Sequence, residues 1–250
     1  MRYRIERFGR TRFSAPVREH HFELRIAPWD DAGQRLTALE LTVVPPAVAG
    51  VHCDCFGNQV HRGSLMSAHA EVAVRMVAEV ETLLANPFDY KPVAPARELE
   101  WVSGSLREAP RLLDFLLCRS DRVPDLAPLA REGMTPPSYV PGQPVLAQLK
   151  EAMVWVQDTF EFDPEGVVAR PRLADLFEEG VGNSRDLAHL FVALARSWGF
   201  PARYVRGYLD PAYFEPDDDD EEPRQLPQIS HAWAEVLIPG AGWRGFDPAR

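Results

Sequence analysis

The sequence predicts an α+β fold in which a β-rich N-terminal region precedes a core made of a buried helix packed on an antiparallel sheet. Three patterns indicate this arrangement. Apolar and polar residues alternate along the N-terminal third, a helical apolar stripe follows Ser184, and two alternating segments come after that helix. The chain has 250 residues, 46% of them apolar, and is long enough for one large domain or two modest ones.

Residues 1–83 are predicted to form the β-rich region. Apolar residues recur there at every second position in three stretches: Phe22, Leu24 and Ile26; Leu39, Leu41 and Val43; and Val72, Val74, Met76, Ala78 and Val80. Turn-forming residues at 30–33 and 56–58 separate these stretches. We expect this region to serve either in packing or in the presentation of a substrate. Its histidines are scattered, which favours strand-surface residues over a metal site: His20, His21, His52, His61 and His69.

Residues 84–144 are rich in proline and are predicted to be an irregular connector with one short helical patch at 112–117. The core is predicted to span 145–250. It opens with a helical stripe typical of a core helix rather than of a cofactor site, made of Leu146, Leu149, Met153, Val156 and Phe160. A short helix with Leu173, Leu176 and Phe177 then leads into the turn at 180–182.

A second core helix is predicted to begin at about Ser184, because Asn183 and Ser184 are good N-cap residues. Gly199 ends it, and residues 202–208 alternate like a strand that leaves the helix. The helical face is formed by Leu187, Leu190, Phe191, Leu194 and Trp198. Ser184 therefore lies at a helix N-terminus, where free N–H groups and the helix dipole favour developing negative charge. Two interpretations remain open, a nucleophile position and a simple N-cap.

A hairpin is predicted at the end of the chain. Residues 230–238 alternate like a half-buried strand, residues 239–242 form a turn, and a second strand ends at Asp247. An antiparallel pair can bring His231 and Asp247 side by side, so that the carboxylate holds the imidazole in one tautomer. The alternative is that His231 is an ordinary strand histidine.

These segments resemble the bacterial transglutaminase-like family. The resemblance rests on GVGNSRDLAHLFVALARSWGFPARYVRGY at 180–208, SHAWAEV at 230–236 and GWRGFDP at 242–248. It extends to the N-terminal region through RYRI at 2–5, FSAPV at 13–17 and DCFGN at 54–58. It implies a papain-like core with a Cys-His-Asp triad, in which His231 matches the histidine and Asp247 the aspartate. Where the family has Cys, this chain has Ser184, and Asn183 also departs from the family's usual valine.

The resemblance implies acyl transfer on glutamine side-chain or peptide amides, followed by release of the acyl group to water or to an amine. The implied catalytic residues are Ser184, His231 and Asp247, and the partners are a protein or peptide substrate and, for transfer, an amine acceptor. No metal or organic cofactor is implied. Residues expected to line the substrate cleft are Asn183, Asp186, Trp233 and Tyr208. Asp186 could instead support the helix dipole, and Trp233 could pack the hairpin.

Serine at the nucleophile position limits the expected activity. A thiol at a helix N-terminus beside a histidine can have its pKa lowered to roughly 3.5–7.5, whereas a hydroxyl needs the histidine as a true general base. Three explanations of Ser184 stay open: a deliberate Cys-to-Ser change, a natural pseudoenzyme, and a genuine serine variant. The alternative function is therefore a non-catalytic module that holds a peptide or protein partner in the cleft.

Composition excludes some functions. A net charge of −10 argues against nucleic-acid binding, and no apolar run reaches the length of a membrane span. The first residues lack the apolar core of a signal peptide. Cys53, Cys55 and Cys118 form no C-x-x-C motif and leave one cysteine unpaired, so we expect a reducing cytoplasm without structural disulfides. Cys53 and Cys55 lie two apart in an apparent strand, and we expect them to be small buried or edge residues. A zinc site would need two ligands that the pattern does not supply.

Two features near the end of the chain remain. Residues 217–222 are all acidic, and they form either a rim that selects basic substrates or a solvated loop. Relatives in the family usually continue past the D-P motif, whereas this chain stops at Arg250. We therefore expect the core to be truncated, with an exposed sheet edge.

Overall fold

The computed structural model describes residues 1–164, 166, 168, 170–210 and 231–249. The chain divides into two compact units, Met1–Asn86 and Pro87–Arg250. The first unit is built from strands, and the second combines helices with an antiparallel sheet. The predicted α+β class is therefore confirmed. In the described part of the chain, no helix combines the length and the apolar character needed to cross a membrane.

The first unit contains two three-stranded antiparallel sheets, ordered β1-β6-β3 and β2-β5-β4. The strands are β1 (Arg2–Val17), β2 (His20–Leu24), β3 (Gln34–Val44), β4 (Ala49–Cys53), β5 (Gln59–Leu65) and β6 (His69–Thr82). The predicted alternation is present on β6, where Val72, Met76, Ala78 and Val80 are buried. A small core of this unit centres on Val43, Leu65 and Val72.

Two aspartates hold the predicted turns of this unit. The carboxylate of Asp31 accepts hydrogen bonds from the N–H groups of Gly33 at 2.7 Å and Gln34 at 3.0 Å. The carboxylate of Asp54 accepts the N–H groups of Phe56 and Asn58 at 3.0 and 2.9 Å. Both turns thus form where the sequence places Asp with Gly or Asn.

Cys53 takes the second of its two expected settings. It is the last residue of β4, an edge strand of its sheet, and its side chain is exposed, so it is an edge residue rather than a buried one. Cys55 lies in the turn beyond β4, outside the expected strand, and is exposed, as is Cys118. Among the residues that the structure describes, no group of three or more His, Cys, Asp or Glu side chains is placed to hold a metal ion.

In the described residues of the second unit there are five α-helices and a three-stranded antiparallel sheet. The helices are α1 (Glu98–Glu108), α2 (Asp114–Leu117), α3 (Val145–Thr159), α4 (Leu173–Glu179) and α5 (Ser184–Ser197), with 3-10 turns at Pro95–Arg97, Pro110–Leu113 and Ala127–Leu129. The strands are the short parallel pair β7 (Glu161–Phe162) and β8 (Val181–Gly182), and β9 (Ala202–Gly207), β10 (His231–Ile238) and β11 (Gly242–Phe246) in the order β11-β10-β9.

Helix α5 is the centre of this unit. The predicted apolar face is buried, but so are residues on the opposite side, including Ala188, Val192 and Ala195. The reason is that α5 contacts α3 and α4 as well as β9 and β10, so that packing surrounds it. Small alanines allow close approach of these neighbours. This packing fixes the start of α5, and with it Ser184, against the rest of the unit.

The stretch interpreted as an irregular connector contains a helix that the sequence pattern did not predict. Helix α1 buries only Val102 and Glu98, so its apolar stripe is too weak to detect. The Glu98 carboxylate accepts the Val145 N–H at 2.9 Å, and burial raises its pKa. Glu98 thereby caps α3, whose own N-cap residue, Pro144, supplies no side-chain oxygen. This stretch is thus part of the packed core rather than a spacer.

Candidate active site

Ser184 is the first residue of α5, and its neighbour Asn183 is the N-cap. The Asn183 Oδ1 atom accepts the N–H groups of Arg185 at 2.9 Å and Asp186 at 3.3 Å. The interpretation of Ser184 as the N-cap is therefore wrong. Its side chain is half-buried, and among the described residues its hydroxyl makes no hydrogen bond. The hydroxyl has no structural task at this position.

Asp186 closes the turn from the other side. Its Oδ2 atom accepts the Asn183 N–H at 3.2 Å, which completes a capping box. Its Oδ1 accepts the Arg170 N–H at 2.7 Å, and its Oδ2 accepts the Arg170 Nη1 at 2.9 Å. The Asn183 amide donates in turn to the Val168 carbonyl at 3.0 Å. The segment before α4 is therefore tied to the residues on both sides of Ser184.

Asn183 and Asp186 were expected to line a substrate cleft, but the structure buries both side chains at the start of α5. Their exposed fractions are 4% and 3%. The Asn183 amide and both Asp186 oxygens are engaged in the bonds of the turn. Gly182 contributes to the same packing, because a Cβ atom there would lie 2.7 Å from Leu176 Cδ1. These residues shape the turn from inside rather than face a ligand.

The backbone donors at the start of α5 are almost all used. The N–H of Asn183 goes to Asp186, and those of Arg185 and Asp186 go to Asn183. Within the described residues, the N–H of Ser184 has no acceptor. This donor belongs to the same residue as the unbound hydroxyl. A helix N-terminus with a free N–H group can stabilise the negative charge that develops on a carbonyl oxygen under attack.

His231 and Asp247 are brought together as predicted. His231 is the first residue of β10, lies opposite Gly207 of β9 and is 5% exposed. Its Nε2 atom lies 2.8 Å from Asp247 Oδ2, one residue beyond β11. An ionised carboxylate only accepts hydrogen bonds, so in this contact Nε2 is the protonated nitrogen and donates to Asp247. Since the Ser184 hydroxyl has no hydrogen bond in the described structure, Ser184 and His231 are not joined in this way.

Trp233 and Tyr208 border His231. Trp233 shares a face of β10 with His231, since alternate strand residues point the same way. Its ring lies over glycines of the two flanking strands: a Cβ on Gly207 would come within 2.4 Å of the ring and one on Gly245 within 3.5 Å. These contacts agree with the alternative interpretation, in which Trp233 packs the sheet. Tyr208 is half-buried directly after β9.

One pair near the site was not in the predicted set. The rings of His189 on α5 and Tyr204 on β9 stack with centroids 4.4 Å apart at an angle of 10°. Burial lowers the pKa of His189 to about 4, with the charge of Arg122 acting in the same direction. The Nδ1 atom of His189 is buried and has no hydrogen-bond partner among the residues that the structure describes. No spacing rule links His189 to a residue on the following strand, so the sequence alone does not predict this pair.

Arg170 was missed as well, because its contact with Asp186 spans 16 residues and belongs to no local motif. The acidic residues 217–222, for which a substrate-selecting rim and a solvated loop were both considered, lie outside the described residues.

Comparisons with known proteins agree with the fold. A family model for the transglutaminase-like superfamily matches residues 138–248, and one for the bacterial transglutaminase-like N-terminal region matches residues 3–81. An uncharacterised protein of Mycobacterium leprae is 23% identical over 237 residues, which cover 94% of this chain and 78% of that protein. An uncharacterised protein of Mycobacterium tuberculosis is 24% identical over 253 residues, covering 99% and 78%.

One solved structure is similar over the whole chain. The crystal structure of a candidate cysteine protease from Cytophaga hutchinsonii matches with a TM-score of 0.72 and 22% identity, covering 100% of this chain and 77% of that one. At this identity the likeness shows the fold alone. The reaction must therefore be inferred from the residues of this chain.

Proposed function

Because the chain belongs to the transglutaminase-like superfamily, with the bacterial N-terminal region ahead of its core, we propose that it carries an acyl-transfer site for protein or peptide amides. The observation that carries the proposal is the 2.8 Å hydrogen bond between His231 Nε2 and Asp247 Oδ2. Both residues lie on a hairpin whose strand β10 packs on α5, the helix that begins at Ser184. The proposed triad is Ser184, His231 and Asp247.

Each group has a defined role in the proposed reaction. The side chain at position 184 attacks the amide carbonyl carbon, and its proton passes to His231 Nδ1. The carbonyl oxygen becomes an oxyanion, which the Ser184 N–H stabilises. His231 then gives its proton to the leaving amine, and the acyl group stays on position 184. Water or a second amine attacks the acyl-enzyme and restores the site. Asp247 holds the imidazole throughout. These steps use only protein groups.

Serine makes the chain weak or inactive as it stands. A hydroxyl does not form a standing ion pair with an imidazole as a thiol does, so it depends on a short bond to His231. The Ser184 hydroxyl lacks such a bond among the described residues. Loss of a working nucleophile can lower turnover by about 10⁶-fold. We therefore expect little or no acyl transfer from the Ser184 form.

The lack of a hydrogen bond between Ser184 and His231 in the described structure favours a second candidate, a non-catalytic module. In this case the chain keeps His231, Asp247 and the surrounding cleft but uses them to hold a peptide or protein partner. Both candidates predict the same hairpin geometry. The two candidates differ in whether a thiol at position 184 gives the protein acyl-transfer activity.

Intact-protein mass spectrometry of the chain and of Ser184→Cys tests the proposal. Each protein is incubated with an electrophilic analogue of a glutamine side chain and, separately, with a panel of glutamine peptides. Cys53, Cys55 and Cys118 are exposed, so peptide mapping must localise the label. We expect label at position 184 and amide turnover only in Ser184→Cys. The double variant Ser184→Cys with His231→Ala is the matched control and should lose both. If folded Ser184→Cys neither labels nor turns over, the non-catalytic candidate is favoured.

The partners follow from the chemistry. The acyl donor is a protein or peptide with a glutamine or backbone amide, and transfer, unlike hydrolysis, needs an amine acceptor. We place the protein in a reducing cytoplasm, because its three cysteines are exposed and unpaired.

A further inference from the structure

Strand β1 forms one edge of the sheet β1-β6-β3 in the first unit. It pairs with β6 on one side, and among the strands that the structure describes none lies against its other side. No residue of β1 is buried. The pairing with β6 is regular from residue 2 to residue 12 and shifts only beyond it. An edge strand of this kind presents backbone N–H and C=O groups to which a further strand can add.

Four residues at alternate positions share the outer face of β1: Glu6, Phe8, Arg10 and Arg12. All four are exposed, and Phe8, a large apolar residue, is 54% exposed. The guanidinium group of Arg10 lies over the Phe8 ring, 5.6 Å from its centroid. Along the chain, the acid and the aromatic ring precede Gly9, and the two bases follow it.

This order is complementary to itself when two copies of β1 run antiparallel about a two-fold axis at Gly9. Glu6 then lies opposite Arg12 of the second copy, and Phe8 lies opposite Arg10 of the second copy. An axis perpendicular to the sheet keeps both outer faces on the same side, and two-fold symmetry makes each contact occur twice. Opposite charges directly across an antiparallel pair are stabilising, whereas like charges are destabilising.

The neighbouring registers lack this complementarity. With the axis at Phe8, Arg4 would lie opposite Arg12 of the second copy. With the axis at Arg10, that residue would lie opposite its own counterpart. Both arrangements place like charges directly across from each other. The charges of β1 therefore favour the register centred on Gly9 over the registers one step to either side.

The ion pairs that β1 makes with β6 continue into this arrangement. Glu6 pairs with Arg75 at 2.6 Å, and Arg12 pairs with Glu71 at 2.8 Å, all on exposed side chains. When Glu6 of one copy faces Arg12 of the other, the two pairs join into a row in which bases and acids alternate. The association therefore adds a contact of opposite charge without breaking either pair.

The centre of the arrangement has room for close approach. Gly9 carries no side chain, and even a Cβ atom there would meet nothing within 4 Å. On the other face of the strand, Arg7 would lie opposite Thr11 of the second copy, which brings no like charges together. The stretch from residue 6 to residue 12 can therefore pair with itself along its whole length.

We propose that two copies of the chain associate through β1 in this register, so that their sheets join into one continuous six-stranded sheet. Backbone hydrogen bonds between the edges supply the attraction, and the charges select the register. The partner is a second copy because the pattern of β1 is complementary to its own reverse. This inference does not depend on the proposed acyl-transfer function.

Sedimentation equilibrium on the full chain measures the association. We expect the mass to rise from 28.1 kDa towards twice that value as the protein concentration is raised from about 1 to about 200 µM. Raising the salt from about 50 to about 500 mM should weaken the dimer, because the charge pairs lie at the surface and are screened. A chain that remains monomeric at every concentration would overturn the inference.

Charge reversal assigns the interface to β1. Glu6→Arg and Arg12→Glu each place like charges across the two-fold axis and should weaken the dimer about 10-fold. The double variant restores opposite charges with the signs exchanged and should recover most of the affinity. Glu40→Arg on β3 makes the same charge change on the opposite edge of the sheet and is the matched control, expected to stay within about 2-fold. Circular dichroism establishes that each variant is folded.

A disulfide tests the register. In a background where Cys53, Cys55 and Cys118 are replaced by serine, Gly9→Cys places two thiols directly opposite each other, within the range that a disulfide spans. Mild oxidation should then give a covalent dimer. Thr11→Cys in the same background is the control, because its two thiols would lie about 13 Å apart along the strands and should not join.

Three further results would contradict the inference. The first is an equal effect of Glu40→Arg and Glu6→Arg on the dimer. The second is a double charge-reversal variant that associates more weakly than either single variant, since this would trace the effect to the pairs within one chain. The third is cross-linking through Thr11→Cys that matches or exceeds that through Gly9→Cys.

Discussion

At the level of single residues, Asn183 and Ser184 have different roles at the start of α5. Asn183 caps the helix, and Ser184 is the proposed nucleophile. Sequence preference allows either residue to cap the helix. The structure gives the cap to Asn183, whose Oδ1 accepts two N–H groups, and leaves the Ser184 hydroxyl unbound in the described structure. A nucleophile must be free to approach its substrate, and a side chain that already holds the helix end could not do so.

These different roles predict unequal effects on stability for alanine substitutions at the two positions. Asn183→Ala removes the cap and should lower the free energy of unfolding by about 1–2 kcal/mol. Ser184→Ala removes a hydroxyl without a partner and should change it by less than about 0.5 kcal/mol. Urea unfolding followed by circular dichroism measures both. A loss in Ser184→Ala as large as that in Asn183→Ala would mean that Ser184 shares the capping role.

At the level of the secondary-structure elements, the start of α5 depends on a contact with the segment before α4. Arg170 joins Asp186 at 2.9 Å and Glu179 at 2.6 Å, so one guanidinium links the end of α4 to the first turn of α5. The Asp186 side chain is 3% exposed and that of Arg170 is 19% exposed. Removal of one partner from such a buried pair leaves the other charge poorly compensated.

Asp186→Asn should therefore be costly. We expect the free energy of unfolding to fall by about 2–4 kcal/mol, somewhat below the usual figure for a broken buried pair because Arg170 keeps Glu179. In the Ser184→Cys background, turnover should also fall, since the turn that positions residue 184 loosens. The comparison is Glu100→Gln, which breaks the exposed pair with Arg97 and should leave the free energy of unfolding almost unchanged. Equal losses in the two variants would contradict a structural role for the buried pair.

The same elements show how far sequence patterns reach. The bounds of α5, the strand after it and the final hairpin were predictable because their signals are local: a cap, the left-handed Gly199 and alternating residues. Helix α1 was missed because its apolar stripe is weak, and because its contact with α3 joins Glu98 to Val145, 47 residues away. The link between Arg170 and Asp186 was missed for the same reason.

At the level of the whole molecule, the family and the contact between His231 and Asp247 were predictable, because both depend on conspicuous sequence motifs. The stack of His189 on Tyr204 was not predictable, because the two residues belong to separate segments and meet only once α5 and β9 have packed. Charge is read from a sequence as a sum, whereas the pKa of a buried group responds to its local surroundings. These surroundings also govern how the folded molecule responds to pH.

His189 should make the molecule lose stability in mild acid. Its ordinary pKa is 6.5, and burial, aided by the charge of Arg122, lowers it to about 4 in the folded state. Above pH 6.5 the imidazole is neutral in both the folded and the unfolded state, so it adds no pH dependence. As the pH falls from 6.5 to 4, the unfolded state takes up a proton that the folded state resists. The free energy of unfolding therefore falls over this window and levels off below it.

One substitution measures how much the free energy of unfolding falls in mild acid and whether His189 causes the fall. A shift of this kind corresponds to at most about 3 kcal/mol between pH 7 and pH 4. His189→Phe keeps a ring against Tyr204 and removes the titrating group, so its urea unfolding should change less with pH over this window. Asp54 does not confuse the result. Burial raises its pKa, but hydrogen bonds from Asn58 outweigh this and lower it to about 2, so Asp54 acts below pH 4. Identical pH dependence in the two proteins would show that His189 is protonated in the folded state as easily as in the unfolded one.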